Sequence, residues 1–362
     1  MNGGRLWTIA RLELLQRVRT VSWYVLLGVF ALVLIGVTGL AFLSFGGWEQ
    51  SGAGVYSVVV YVTLLLVLLV SPTLSGNSIN GDRDAATLAP VQVTLATTGE
   101  ILLGKFVAAW ITGLAFALVA VPFLIVATFA GGVLPWTILT SLAILVIETG
   151  IIAAIGVALS GILARPLFSV AVTYLVVAAL AVGTLIGFGL IGSAVSSEAV
   201  SKSRYAATDA YGNMECRDGS DSCYGDVENM VCDDWQTTTY RMPRYDYVWW
   251  MLSANPFVIL ADATPTNFDT YGNPDDMFGW IKSGVRSAQL SPPLESTWDD
   301  CDPASYGPGE DSPTPEQIIA ETVPSWFVGL GVQVVLAALL LWWAWLRTRT
   351  PARTLPPGTR IA

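Results

Sequence analysis

The sequence predicts an all-α polytopic membrane protein, with six transmembrane helices and an extracellular domain inserted between helices 5 and 6. Three observations predict it. Of the 362 residues, 53% are hydrophobic and 13% charged, and the mean hydropathy is +0.58, outside the range of soluble chains. Charge is also uneven: residues 194–323 hold 22 acids and 7 bases, net −15, while the rest holds 6 acids and 11 bases, net +5. Outside that acidic stretch lie six apolar runs, each long enough for the roughly 20 residues that carry a helix across a hydrocarbon core of about 30 Å.

The runs are 21–45, 55–76, 106–129, 134–163, 166–193 and 324–346, and the fourth alone carries a charge, Glu148. The first follows a basic stretch but is too long for a signal peptide and lacks a convincing cleavage site, so it reads as a retained helix. Orientation follows the Lys and Arg of short loops. With the N-terminus inside, the inner segments hold Arg5, Arg11, Arg17, Arg19, Arg83, Lys105, Arg165, Arg347, Arg349, Arg353 and Arg360, and the two short outer loops hold none. Both termini are therefore expected in the cytoplasm, with residues 194–323 outside the cell membrane and 347–362 a basic inner tail. Trp342, Trp343 and Trp345 suit an inner aromatic belt.

Before the first run, Leu6, Ile9, Leu12, Leu15 and Val18 recur at helical spacing, and Arg5, Arg11, Glu13, Arg17 and Arg19 fill much of the rest. Residues 1–20 should form an amphipathic helix lying among lipid head groups. It serves either as a simple anchor or as an elbow that transmits movement from a cytoplasmic partner. The loop 77–105 is too long for a tight turn. Its charges Asp82, Arg83, Asp84 and Glu100 bracket an apolar, hydroxyl-rich run that could present a docking surface to a cytoplasmic protein.

Four segments carry a family resemblance. Gly81-Asp-Arg-Asp-Ala-Ala-Thr-Leu88, Glu100-Ile-Leu-Leu-Gly-Lys-Phe106, Gly156-Val-Ala-Leu-Ser-Gly-Ile-Leu-Ala-Arg165 and Arg11-Leu-Glu-Leu-Leu-Gln-Arg17, in their order and spacing, resemble the ABC-2 family of ATP-binding-cassette transporter permeases. The resemblance implies a coupling helix in the loop after span two, seated in a groove of a cytoplasmic nucleotide-binding ATPase subunit. Asp82, Arg83, Asp84, Thr87, Leu88 and Glu100 are then the candidate coupling residues, and Arg11, Glu13 and Arg17 belong to the elbow. It also implies a dimer with a second copy or a related permease, and Mg-ATP held by the partner ATPase. The family commonly has Pro at the position of Leu95; this chain has Pro90 instead.

Two nucleotide motifs fail on their details. Gly99-x-x-x-x-Gly104-Lys105 ends in Phe106 where a phosphate-binding loop needs a Ser or Thr hydroxyl for Mg²⁺, and Gly187-x-Gly189-x-x-Gly192 ends an apolar run of transmembrane length. Gly183, Gly187 and Gly192 are read instead as points of close helix approach. With no His anywhere, imidazole bases and His-ligated metals are excluded. No catalytic residue, metal site, cofactor on this chain or nucleic-acid partner is expected, so ATP hydrolysis would belong to a partner subunit.

Glu148 should face protein or water, or keep its proton, because a charged carboxylate facing lipid is costly. It could couple protons or touch substrate, or it could be a neutral acid hydrogen-bonded to a neighbouring helix. The external segment carries Cys216, Cys223, Cys232 and Cys301, whose even number and location favour disulfides. Of the three connectivities, Cys216 with Cys223 and Cys232 with Cys301 is preferred, the second stapling the ends of the domain. The run 247–262 is too apolar for an exposed loop and suits an interfacial or re-entrant segment, while Thr314-Pro315-Glu316-Gln317 starts a helix expected to lead into span six. The function expected is the transmembrane subunit of an ATP-driven exporter. A non-transporting membrane scaffold whose external domain binds an envelope partner, and an ion-coupled transporter using Glu148, fit the same composition.

Overall fold

A computed structural model describes residues 2–46, 51–84, 96–209, 211–220, 223, 226, 228–302 and 313–348. A helix over Gly3–Val18, capped by the Asn2 side chain, precedes six helices long and apolar enough to cross a membrane. These spans are Val21–Phe45, Ser51–Arg83, Thr98–Phe129, Pro135–Ile162, Pro166–Ala194 and Trp326–Thr348, and they mark a multi-pass membrane protein. Span 3 begins eight residues before the apolar run, at a capping box made by Thr97 and Glu100, and bends at Ala120 ahead of Pro122, which has no N–H to continue the ladder. Span 5 contains a π turn over Ala179–Gly183.

Spans 2 and 4 form the centre, with 67% and 78% of their most apolar windows buried, against 17–22% for spans 1, 5 and 6. The outer spans turn Leu32, Leu43, Leu167, Leu175 and Val335 outward, as hydrocarbon allows and water would not. Span 4 can be surrounded because its small residues face its neighbours. Gly150 lies against the Trp110 ring, Gly161 against Ala344, and Gly156 so near Ser75 that a Cβ there would stand 1.9 Å from the Ser75 hydroxyl. In span 5, Gly187 and Gly192 do admit neighbours, Met251 and the Tyr245 ring, whereas Gly183 meets only its own helix.

The segment between spans 5 and 6 corrects the all-α expectation. It contains a three-stranded sheet of order β2-β1-β3, with β1 (Ser196–Arg204) antiparallel to β2 (Gln236–Pro243) and parallel to β3 (Glu295–Asp299). The edge strands β2 and β3 are polar and largely exposed, and the central β1 buries only Ala199 and Ser203, so no apolar alternation marks them in the sequence. Bidentate pairing of Arg204 with Asp299 (2.8 and 2.6 Å) ties β1 to β3. The disulfides join Cys216 to Cys223 and Cys232 to Cys301, the preferred pairing, and the second fastens the chain before β2 to the chain after β3.

The apolar stretch before the sixth span folds into short helices over Trp250–Ser253 and Pro256–Ala263, buried at Val258, Ile259, Leu260 and Ala261. Asn255 caps the second of them. Its side-chain amide also donates to Ala181 O (2.7 Å) and Thr184 Oγ1 (2.9 Å), meeting the π turn of span 5. Gly329 lets span 6 press against Ser253 O, where a Cβ would stand 1.7 Å away. Thr314 and Gln317 form a capping box on Pro315–Glu321, but this helix stops before Thr322 and does not continue into span 6.

Candidate functional site

The charged residues of the four quoted segments gather at one end of the bundle, which also carries the N-terminal helix and the last turn of span 6. Lys105, on the first turns of span 3, is only 3% exposed. Its ammonium lies 3.1 Å from Glu13 Oε2 and 2.7 Å from Asp82 Oδ2, and it donates to Ser78 O at 2.7 Å. One cation therefore ties the N-terminal helix and the end of span 2 to span 3. Arg17 extends the network, 3.7 Å from Glu13, donating to Thr112 Oγ1 (3.1 Å) and Leu74 O (2.9 Å). Burial lowers the Arg17 pKa from its ordinary value, and Glu13 opposes that shift. Glu100 caps span 3 and accepts from Asn2 N at 2.5 Å, so both ends of the N-terminal helix are held.

This helix is oriented differently from its apolar pattern. Leu6 and Ile9 lie towards the bundle, with Ile9 and the Leu6 backbone packed on Gly104, whereas Leu12, Leu15 and Val18 are exposed. Ala10, Glu13, Leu14 and Arg17 complete the inward face. The ion pairs with Lys105 decide this rotation, and the exposed leucines are left on the side open to lipid. Arg11 is exposed and takes no part in the cluster.

Asp82 and Arg83, expected as contacts for a partner, are bound to their own chain. Arg83 donates to Gly161 O (3.2 Å), Leu163 O (3.3 Å) and Asn80 Oδ1 (3.1 Å), capping the last carbonyls of span 4 with a cation. Ser160 Oγ accepts from Ile79 N (2.9 Å) and Asn80 N (3.1 Å) at the start of the short helix Asn80–Asp84. Thr87, Leu88 and the side chain of Asp84 lie outside the described residues. Sequence reasoning missed the pairing role of Lys105 and the part of Ser160; the only available signal was that both stand inside the quoted segments.

At the opposite end a second buried ionic cluster links the segment between spans 5 and 6 to the spans. Asp262 accepts from Arg286 Nε (2.7 Å), Ser325 N (2.6 Å) and Trp326 N (3.0 Å), so one carboxylate pairs a buried guanidinium and caps span 6. Asp276 caps the helix Met277–Ser287, whose first amide donates to Ser57 Oγ of span 2 (3.1 Å). Lys282 donates to Thr264 O. Burial pushes the Asp276 carboxyl up to about 6 and pulls the Lys282 ammonium down to about 8.

The pH windows of these two groups are separate. Between the ordinary 3.8 of an Asp and about 6, the unfolded chain has released the proton that folded Asp276 keeps, so stability from this group falls as pH rises through that window. Stability from Lys282 is present above its ordinary 10.5 and is lost as pH falls through about 8. Asp276→Asn keeps a capping oxygen and is expected to flatten the thermal midpoint between pH 4 and 6 without altering the alkaline limb. An unchanged acid limb in a pH series of melts would assign that slope to another group.

Glu148 lies in the middle of span 4, fully buried, and neither carboxylate oxygen has a hydrogen-bond partner among the described residues. The chain matches no protein-family model and no curated protein.

Proposed function

We propose that the chain is the transmembrane permease subunit of an ATP-driven ABC-2 type transporter, an exporter, with Mg-ATP bound and hydrolysed by a separate cytoplasmic subunit. The observation that supports this most is the meeting of four separated segments in one junction. Lys105 joins Glu13 and Asp82, Ser160 and Arg83 join the end of span 2 to the end of span 4, and Glu100 joins Asn2. A push on residues 77–105 would therefore reach the N-terminal helix, span 3 and span 4 together. A simple lipid anchor needs no such linkage. In this reading the junction faces the cytoplasm, the loop 77–105 offers the docking surface, and the exposed apolar faces of the outer spans meet lipid and a second permease copy.

The test uses the full-length chain purified from its native membrane. An ATPase subunit is expected to co-purify, with vanadate-sensitive hydrolysis, and Leu88→Arg is expected to remove it while leaving the melting temperature unchanged. ATP hydrolysis by the chain alone, or no co-purifying nucleotide-binding protein, would overturn the reading.

A further inference from the structure

The unpaired polar atoms in the bundle point to an interaction independent of any ATPase. Gln333 of span 6 is fully buried, and its Nε2 donates to Ala254 O at 2.9 Å. That carbonyl can only accept, which fixes the amide orientation and leaves Gln333 Oε1 needing a donor. No donor reaches it among the described residues, and the same holds for both oxygens of Glu148.

Register brings these two residues to within about 4 Å of the same depth. Spans 4 and 6 run in the same direction and touch where Gly161 meets Ala344. Glu148 lies 13 residues before Gly161 and Gln333 lies 11 before Ala344, or about 20 Å and about 16 Å along parallel axes. Gln333 belongs to the buried stripe Gly329, Gln333, Ala337, Ala344 and Thr348 on span 6. Other buried unpaired donors lie elsewhere: Thr38 on span 1, and Ser78, Asn80 and Thr266 towards the two ends of the bundle.

We infer that Glu148 carries a proton and donates it to Gln333 Oε1, forming a proton-dependent bridge between spans 4 and 6 in the membrane interior. A carboxylate brings only acceptors, so it can satisfy the Gln333 oxygen only if it is protonated. Undissociated, Glu148 supplies the missing donor and carries no charge into the apolar core. Other ionisable groups on the packed elements are engaged elsewhere or lie at the ends. Tyr56 bonds Ser141, Tyr61 reaches Phe257 O, Tyr174 donates to Leu69 O, and Asp262 pairs with Arg286. Glu100, Lys105, Arg83 and Arg347 stand at the junction end.

Infrared difference spectra of the full-length chain in lipid bilayers at pH 7 test the bridge. The wild type is expected to show the carbonyl stretch of an undissociated carboxylic acid that is lost in Glu148→Gln and moves to higher frequency in Gln333→Met. Gln333→Asn, with the same amide on a shorter stem, gives the second comparison if the Met variant does not fold. Carboxylate bands in the wild-type minus Glu148→Gln spectrum, as expected for a bound cation, would overturn the proposal. So would an acid band that neither Gln333 variant shifts.

Discussion

Replacing Lys105 with Met is expected to release the N-terminal helix from the bundle. The ammonium is nearly fully buried and serves two carboxylates and a carbonyl, so its removal takes the nearer cation from Glu13, which keeps Arg17 at 3.7 Å, and leaves Glu13 and Asp82 close together without the charge that bridged them. Breaking a buried pair typically costs 3–5 kcal/mol; Asp82 is a third exposed, so water offsets part of this, and about 2–3 kcal/mol is expected. Hydrogen exchange across Gly3–Val18 should rise accordingly, while the Cys232–Cys301 region stays protected. Adding Glu13→Gln and Asp82→Asn to Lys105→Met removes the repulsion and should recover part of the protection. Unchanged exchange in the single variant would mean that packing of Ile9 on Gly104 suffices to hold the helix.

Asp262→Ala should have the larger effect. Arg286 is 4% exposed and, among the described residues, would keep only the carbonyl and hydroxyl oxygens of Thr322 as acceptors, a situation that costs about 3–5 kcal/mol. The amides of Ser325 and Trp326 at the start of span 6 lose their acceptor as well. A fall of many degrees in the detergent melting temperature is expected. Combining Asp262→Leu with Arg286→Met should cost less than Asp262→Ala alone, because no unpaired charge remains. Equal losses would show that the cap on span 6, common to both, outweighs the ion pair.

The candidate site was only partly legible in the sequence. Glu13, Arg17, Asp82 and Glu100 stood out in the sequence; the structure links the first three around Lys105 and ties Glu100 to Asn2 instead. Lys105 counted there only as an inner positive charge, because which carboxylates one cation reaches depends on the rotation of three helices. The N-terminal helix shows the same limit. Its apolar repeat predicted one buried face, yet pairing with Lys105 turned Glu13 and Arg17 inward and left Leu12, Leu15 and Val18 outside. The sheet went unseen because β2 and β3 are almost wholly exposed and β1 buries only Ala199 and Ser203, so no face imposed an apolar two-residue alternation.

What the sequence determined by itself was the set of six apolar helices and the acidic, disulfide-bonded insertion after the fifth. Both follow from sums over neighbouring residues: enough consecutive apolar side chains make a span, and four cysteines in one external segment find each other. Tertiary structure alone decided that span 4 is the surrounded helix, that Arg83 caps its end, and that Asp262 joins a buried arginine to the start of span 6. Those contacts join positions between 24 and 80 residues apart, and a hydrogen bond forms or fails over a fraction of an ångström that no local pattern encodes.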